Sequence, residues 1–176
     1  MMHMLEWLID AMNLQKNVIL AYRWQDIECV RQDVVALVAT THNPCFEPER
    51  VGMVAAELLE NAIAHGDSTC TKVHFSLKQK DDCLHIRVRN HVKHADDANK
   101  INRLLAWIGS CENKRVAYQT LLLQAFNSYQ ASGGVGLARI VYEGHCELTC
   151  NTEEDREIEM HAILKALPVD LNPIAR

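Results

Sequence analysis

The chain has 176 residues, 48% hydrophobic and 23% charged, with 7 glycines and 4 prolines. That is an ordinary globular composition, long enough for one well-buried domain and short for two, and it excludes disordered, collagenous and low-complexity classes. A net charge of −5 with no lysine or arginine run excludes the basic face that a nucleic-acid binder needs, so no nucleic acid is expected as a partner.

Leu5, Leu8, Ile9 and Met12 have helical spacing and predict an N-terminal helix over 1–14. "NVILAYRW" at 17–24 reads as a first strand. Asp26 is placed to cap the helix that follows, with Ile27, Val30, Val34, Leu37 and Val38 as its inner face, before "THNPCFEPE" breaks the pattern with two prolines. The next helix runs over 48–65, with Pro48 in its first turn and Gly66 just past its end. "CTKVHFSLK" and "CLHIRVRN", joined by "QKDD", form a hairpin in which Val73, Phe75, Leu77, Leu84, Ile86 and Val88 share an apolar face and the alternate residues are wet.

A sheet with one wet face is covered by helices on the other only. The fold class is therefore α+β, a two-layer α/β sandwich with a mixed, mainly antiparallel sheet. Two amphipathic helices follow over 96–129, with Ile101, Leu104, Leu105 and Ile108 ending at Gly109, and then Tyr118, Leu121, Leu122, Ala125 and Tyr129. "ASGGVGLARIVYEG" is a glycine-rich turn opening a short helix, and alternating segments at 145–150 and 156–165 complete a single domain over 1–166, leaving a polar tail at 167–176.

No apolar run approaches the roughly 18 residues that span a bilayer. The N-terminus lacks the basic region and cleavage site of a secretory signal. The seven cysteines, odd in number and never spaced C-x-x-C, read as reduced and mostly buried. No membrane partner and a cytoplasmic location are expected. Trp7, Trp24 and Trp107 read as packing residues.

Two stretches carry chemistry. In "ELLENAIAHG" at 57–66, Glu57, Asn61 and His65 lie four residues apart on a helix that already has an apolar face in Leu58, Leu59, Ala62 and Ile63, so a second, polar stripe looks at solvent, a partner or a ligand. Glu57 and Asn61 offer the hard oxygens that suit Mg²⁺ and its waters; His65, at the helix end, reads as structural. In "SGGVGL" at 132–137, glycines ahead of a helix N-terminus permit close approach of a phosphate to unpaired N–H groups. No G-K-[ST] follows, so it is not a P-loop, and it is not the early strand-turn-helix of a dinucleotide fold. The bland alternatives are a solvated helix face and a surface loop. His91, His94 and Asp96 fall in a polar loop without the cysteine pair of a zinc set.

Together and in this order, with a hairpin between, "ELLENAIAHG" and "GGVGL" resemble the N-box and G2 box of the GHKL ATP-binding superfamily, over roughly residues 15 to 165. The resemblance implies ATP and Mg²⁺ as cofactors, with Asn61 the magnesium ligand, Glu57 the catalytic proton acceptor, and Ser132, Gly133, Gly134, Val135, Gly136 and Leu137 the phosphate loop. Ser132 stands where histidine kinases have the loop's first glycine. The family's D-x-G-x-G box has no counterpart: Asn90 stands in place of its adenine-binding Asp, and an Asp there is expected to make a stronger acceptor. The helices of 96–129 replace the usual flexible lid.

This combination resembles the small bacterial anti-sigma-factor and partner-switching serine kinases. It implies an ATP-binding regulator that phosphorylates, or binds in a nucleotide-dependent way, a small partner resembling an anti-sigma antagonist, and leaves a homodimer open. The alternative is a sandwich that has lost nucleotide and works as an interaction module through the helices of 96–129; whether the chain is an enzyme stays open.

Overall fold

The computed structural model describes residues 15–20, 23–41, 43–67, 69, 72–127, 134–153 and 156–166. The predicted N-terminal helix over 1–14, Trp7, Cys70, Tyr129, Ser132, Gly133 and the tail at 167–176 lie outside the described residues.

Five strands, β1 (Gln15–Leu20), β2 (Val73–Lys80), β3 (Cys83–His91), β4 (Cys146–Thr152) and β5 (Glu157–Lys165), form an open sheet in the order β1-β2-β3-β5-β4, and every pairing is antiparallel. Five helices accompany them: α1 (Gln25–Thr40), α2 (Pro48–His65), α3 (Asp97–Ser110), α4 (Lys114–Asn127) and α5 (Val135–Tyr142). The α+β sandwich expected from the alternation is therefore the fold. No described helix is long and apolar enough to cross a membrane.

The hairpin shows how alternation sets the layers. Val73, Phe75 and Leu77 on β2 and Leu84, Ile86 and Val88 on β3 are all buried, and antiparallel pairing sets Phe75 against Val88 and Leu77 against Ile86. The loop is shorter than expected, because β2 runs on to Lys80 and pairs it with Cys83, leaving Asp81 and Asp82 to turn the chain. Asp81 takes φ +53°, a left-handed conformation that an Asp tolerates better than a branched residue. Ile158, Met160, Ala162 and Leu164 on β5 continue the buried face, joined by Cys146 and Cys150 on β4. Burial pushes the Cys146 thiol up to about 12 and that of Cys150 up to about 11, and all six described cysteines are free.

On this face lies α2, with Val51, Val54, Ala55, Leu58, Leu59 and Ala62 buried; α1 packs on α2 through Val30, Val34, Leu37 and Val38. Three local expectations are corrected. The first strand ends at Leu20 instead of running to 24, and Trp24, 58% exposed, takes the N-cap position of α1 while Asp26 sits in its first turn. Trp107 is also 39% exposed, so neither described tryptophan is a core residue. Gly66 closes α2 as expected, with its backbone extended and bridged to Val92.

The crossing of α1 over α2 is close at Gly52, where an added Cβ would stand 2.6 Å from Val35 Cγ2 and 3.3 Å from Arg31 Cγ. Replacing Gly52 by Val should cost about 1–3 kcal/mol through overpacking, read as a lower midpoint in denaturant unfolding, and Val35→Ala in the same background should restore part of the loss.

Candidate functional site

Because α2 spends one stripe on the sheet, the stripe a quarter-turn away is left for Glu57 and Asn61, and α5 comes to rest against it. The contact is tightest at Gly136, in the first turn of α5: a Cβ there would lie 2.5 Å from Glu57 Oε2 and 3.2 Å from Asn61 Nδ2. Two residues earlier Gly134, the N-cap of α5, has φ +107°, and a Cβ on it would strike Leu104 of α3 at 2.4 Å. Of the expected phosphate-loop residues, Gly136 is thus brought against Glu57 and Asn61, Gly134 and the buried Leu137 line one cavity with Asn61, and Val135 follows Gly134 as the first residue of α5.

Asn61 Nδ2 donates to the Glu57 carbonyl at 2.6 Å, which leaves its amide oxygen as the free end of the side chain. Glu57 Oε1 accepts from Arg139 Nη1 at 2.8 Å, while Arg139 Nε donates to Glu143 Oε2 at 2.7 Å. Arg139 escaped the sequence reading, and only its place four residues before Glu143 on a short helix could have hinted at an ion pair. The Glu143 and Glu57 carboxylates together raise its already high pKa. Glu60, one turn of chain beyond Glu57, is pushed up by burial and by the Glu57 charge.

A cavity of about 350 Å³ opens beside this contact, at the lower end of the roughly 300–1,000 Å³ typical of small-molecule sites. Asn61, Asn90, Gly134 and Leu137 line it from one side and Ile101 and Leu104 of α3 from the other, with Lys93, Asp97 and Lys100 among its polar groups. His65, expected to be structural, also lines it. The α3 helix therefore contributes a wall.

Asn90 is 2% exposed. Its Nδ2 donates to the His91 carbonyl at 3.2 Å and to the Ala62 carbonyl at 3.5 Å, and its Oδ1 has no hydrogen-bond partner. Turning the amide over would set Oδ1 against two carbonyl oxygens, so the free group is an acceptor. An uncompensated buried acceptor costs about 1–3 kcal/mol unless a donor reaches it. A carboxylate in this rotamer would face those same two carbonyls.

On the far side of Glu57, between α1 and α2, a second groove of about 390 Å³ is lined by Trp24, Met53, Glu57, Glu60 and Arg139, among others. Among the described residues no group of three or more His, Cys, Asp or Glu is placed to hold a metal.

No family model matches the sequence, and no curated protein matches it. A chain of the crystal structure of the SiaB–SiaC complex from Pseudomonas aeruginosa is similar in fold, with a TM-score of 0.66 at 16% identity over 84% of this chain and 87% of that one.

Gly134 and Gly109 predict opposite outcomes for one substitution. Gly134→Ala should destabilise by at least about 1–2 kcal/mol, the cost of a left-handed alanine, with the Leu104 clash added. Gly109 lies in α3 with nothing within 4 Å of its would-be Cβ, so Gly109→Ala should stabilise by up to about 1 kcal/mol. Thermal unfolding of the two variants checks both signs.

Proposed function

We propose that this chain is a cytoplasmic, ATP-binding regulator of the GHKL type that binds a small protein partner according to its nucleotide state and phosphorylates it. The observation that carries the reading is the cavity in which Asn61, Asn90, Gly134 and Leu137 meet, with the buried Asn90 Oδ1 lacking a donor. An adenine amino group is such a donor, and the apolar wall of Leu137, Ile101 and Leu104 suits the flat base beside it.

The chain's own groups divide the work. Asn90 accepts from the base, Gly134 and Gly136 allow the α5 backbone close to the phosphates, and Lys93 and Lys100 offer positive charge at the cavity. Asn61 presents its amide oxygen, a single hard ligand that suits Mg²⁺, an ion that keeps most of its waters and takes its remaining oxygens from phosphate. When bound, ATP supplies the transferable phosphoryl group and Mg²⁺ the counter-charge. Glu57 is the candidate proton acceptor for a partner hydroxyl, approached through the α1–α2 groove.

A protein partner is proposed on the added ground that the similar chain comes from a complex of two proteins. One observation favours the interaction-module alternative: the Glu57 carboxylate is closed by Arg139, while α4 presents Leu122, Leu123 and Phe126 to solvent, Phe126 at 89% exposure.

Calorimetric titration separates the two. ATP should bind, more tightly with Mg²⁺ than without, and Asn90→Ala should weaken it about ten-fold, the order of one buried hydrogen bond. No heat with ATP, ADP or a non-hydrolysable analogue up to millimolar concentration would leave the interaction module standing.

A further inference from the structure

The ion pair at the junction of the cavity and the groove is exposed enough to open. Arg139 is 41% exposed, Glu143 38% and Glu57 15%, and solvent screens ion pairs that reach water in this way. The pair joins α5 to α2 at the edge of the core. What the pair does occupy is an anion's place: the Glu57 carboxylate stands at the first turn of α5, 2.5 Å from the would-be Cβ of Gly136 and within reach of the helix's positive end. Asn61 lines the cavity, Glu57 and Arg139 line the groove, and Glu57 and Asn61 both stand against Gly136.

We infer that Arg139 distinguishes nucleotide triphosphate from diphosphate by exchanging its internal partner Glu57 for the terminal phosphate, so that the third phosphate is what releases the Glu57 carboxylate. The inference rests on the nucleotide reading above and deepens it. A phosphate at the α5 end of the cavity would stand beside Glu57, and two anions there repel. The guanidinium is the cation already at that position. Its Nε is held by Glu143 at 2.7 Å, which anchors the side chain while its Nη edge re-aims. Phosphate is the stronger partner, because it carries more charge than a carboxylate and can take the guanidinium in two parallel bonds where Glu57 takes one. Glu57, once released, faces the groove that also holds Glu60 and Trp24. The state of the nucleotide and the freedom of the candidate base are then one equilibrium.

Calorimetry with Mg²⁺ and either ADP or a non-hydrolysable triphosphate analogue, on the wild type and three variants, tests this. The wild type should prefer the analogue. Arg139→Gln should bring the two affinities together, losing about ten-fold on the analogue, the scale of one charge-assisted contact, and leave ADP unchanged; Arg139→Lys should keep part of the preference. Glu57→Gln, which removes the competitor, should tighten the analogue a few-fold and leave ADP alone. Circular dichroism confirms that each variant is folded. A merely structural Arg139 would weaken both nucleotides equally, and a folded Arg139→Gln with the wild-type preference would refute the exchange while leaving nucleotide binding intact. No binding of either nucleotide to the wild type would overturn both readings.

Discussion

The approach of α5 to α2 at Gly136 is the contact on which the site depends. Any side chain at that position would displace Glu57 and Asn61, and with them the one arrangement that sets a carboxylate, an amide and a helix N-terminus within a few ångströms. The approach in turn requires α2 to lie flat on the sheet through Leu58, Leu59 and Ala62, so the polar stripe is carried to its place by the apolar one. Only a helix whose two stripes differ in character can do both, which is why the polar residues in "ELLENAIAHG" recur at intervals of four.

The second constraint lies one turn earlier in the loop. Gly134 supports Leu104 against its backbone, and Leu104 belongs to α3, which also gives Ile101 and Lys100 to the cavity. The α3 helix is therefore wall and prop at once: a ligand that entered beneath it and a movement of the glycine turn would each be felt by the same leucine. The α4 helix packs on α5 through Ala117 and Leu121 and leaves Leu122, Leu123 and Phe126 outside. Its apolar residues do not fall on one stripe, and packing against α5 satisfies only the part that faces inward.

The hairpin and α2 were legible because each repeats a strong local rule. Strict alternation from Val73 to Leu77 and from Leu84 to Val88 has one sensible folding, and Pro48 and Gly66 bracket α2 as a proline and a glycine usually do. The failures come where the local pattern does not decide. Gly109 ends nothing, since α3 continues to Ser110 before Cys111 closes it. Trp24 and Trp107 read as packing residues, yet both are exposed to solvent, because residue type alone does not say which face of an element a residue occupies. Arg139 was invisible for the same reason: its two carboxylates come from residues 57 and 143, and only the first contact, across 82 positions, makes it part of the site.

Asn90 shows how a single exchange of residue shifts work onto its surroundings. A carboxylate at the end of β3 would bring a charge that must be balanced inside an apolar cavity wall, and burial of an unpaired charge is far more costly than burial of an amide. The amide avoids that cost by spending its two donors on the carbonyls of Ala62 and His91, which ties the strand to the C-terminal turn of α2. The same bonds fix the direction of Oδ1. An acceptor that cannot rotate away needs no ordering when a donor arrives. One end of the cavity therefore holds a single neutral acceptor, while charge gathers where Arg139, Glu57 and the start of α5 come together.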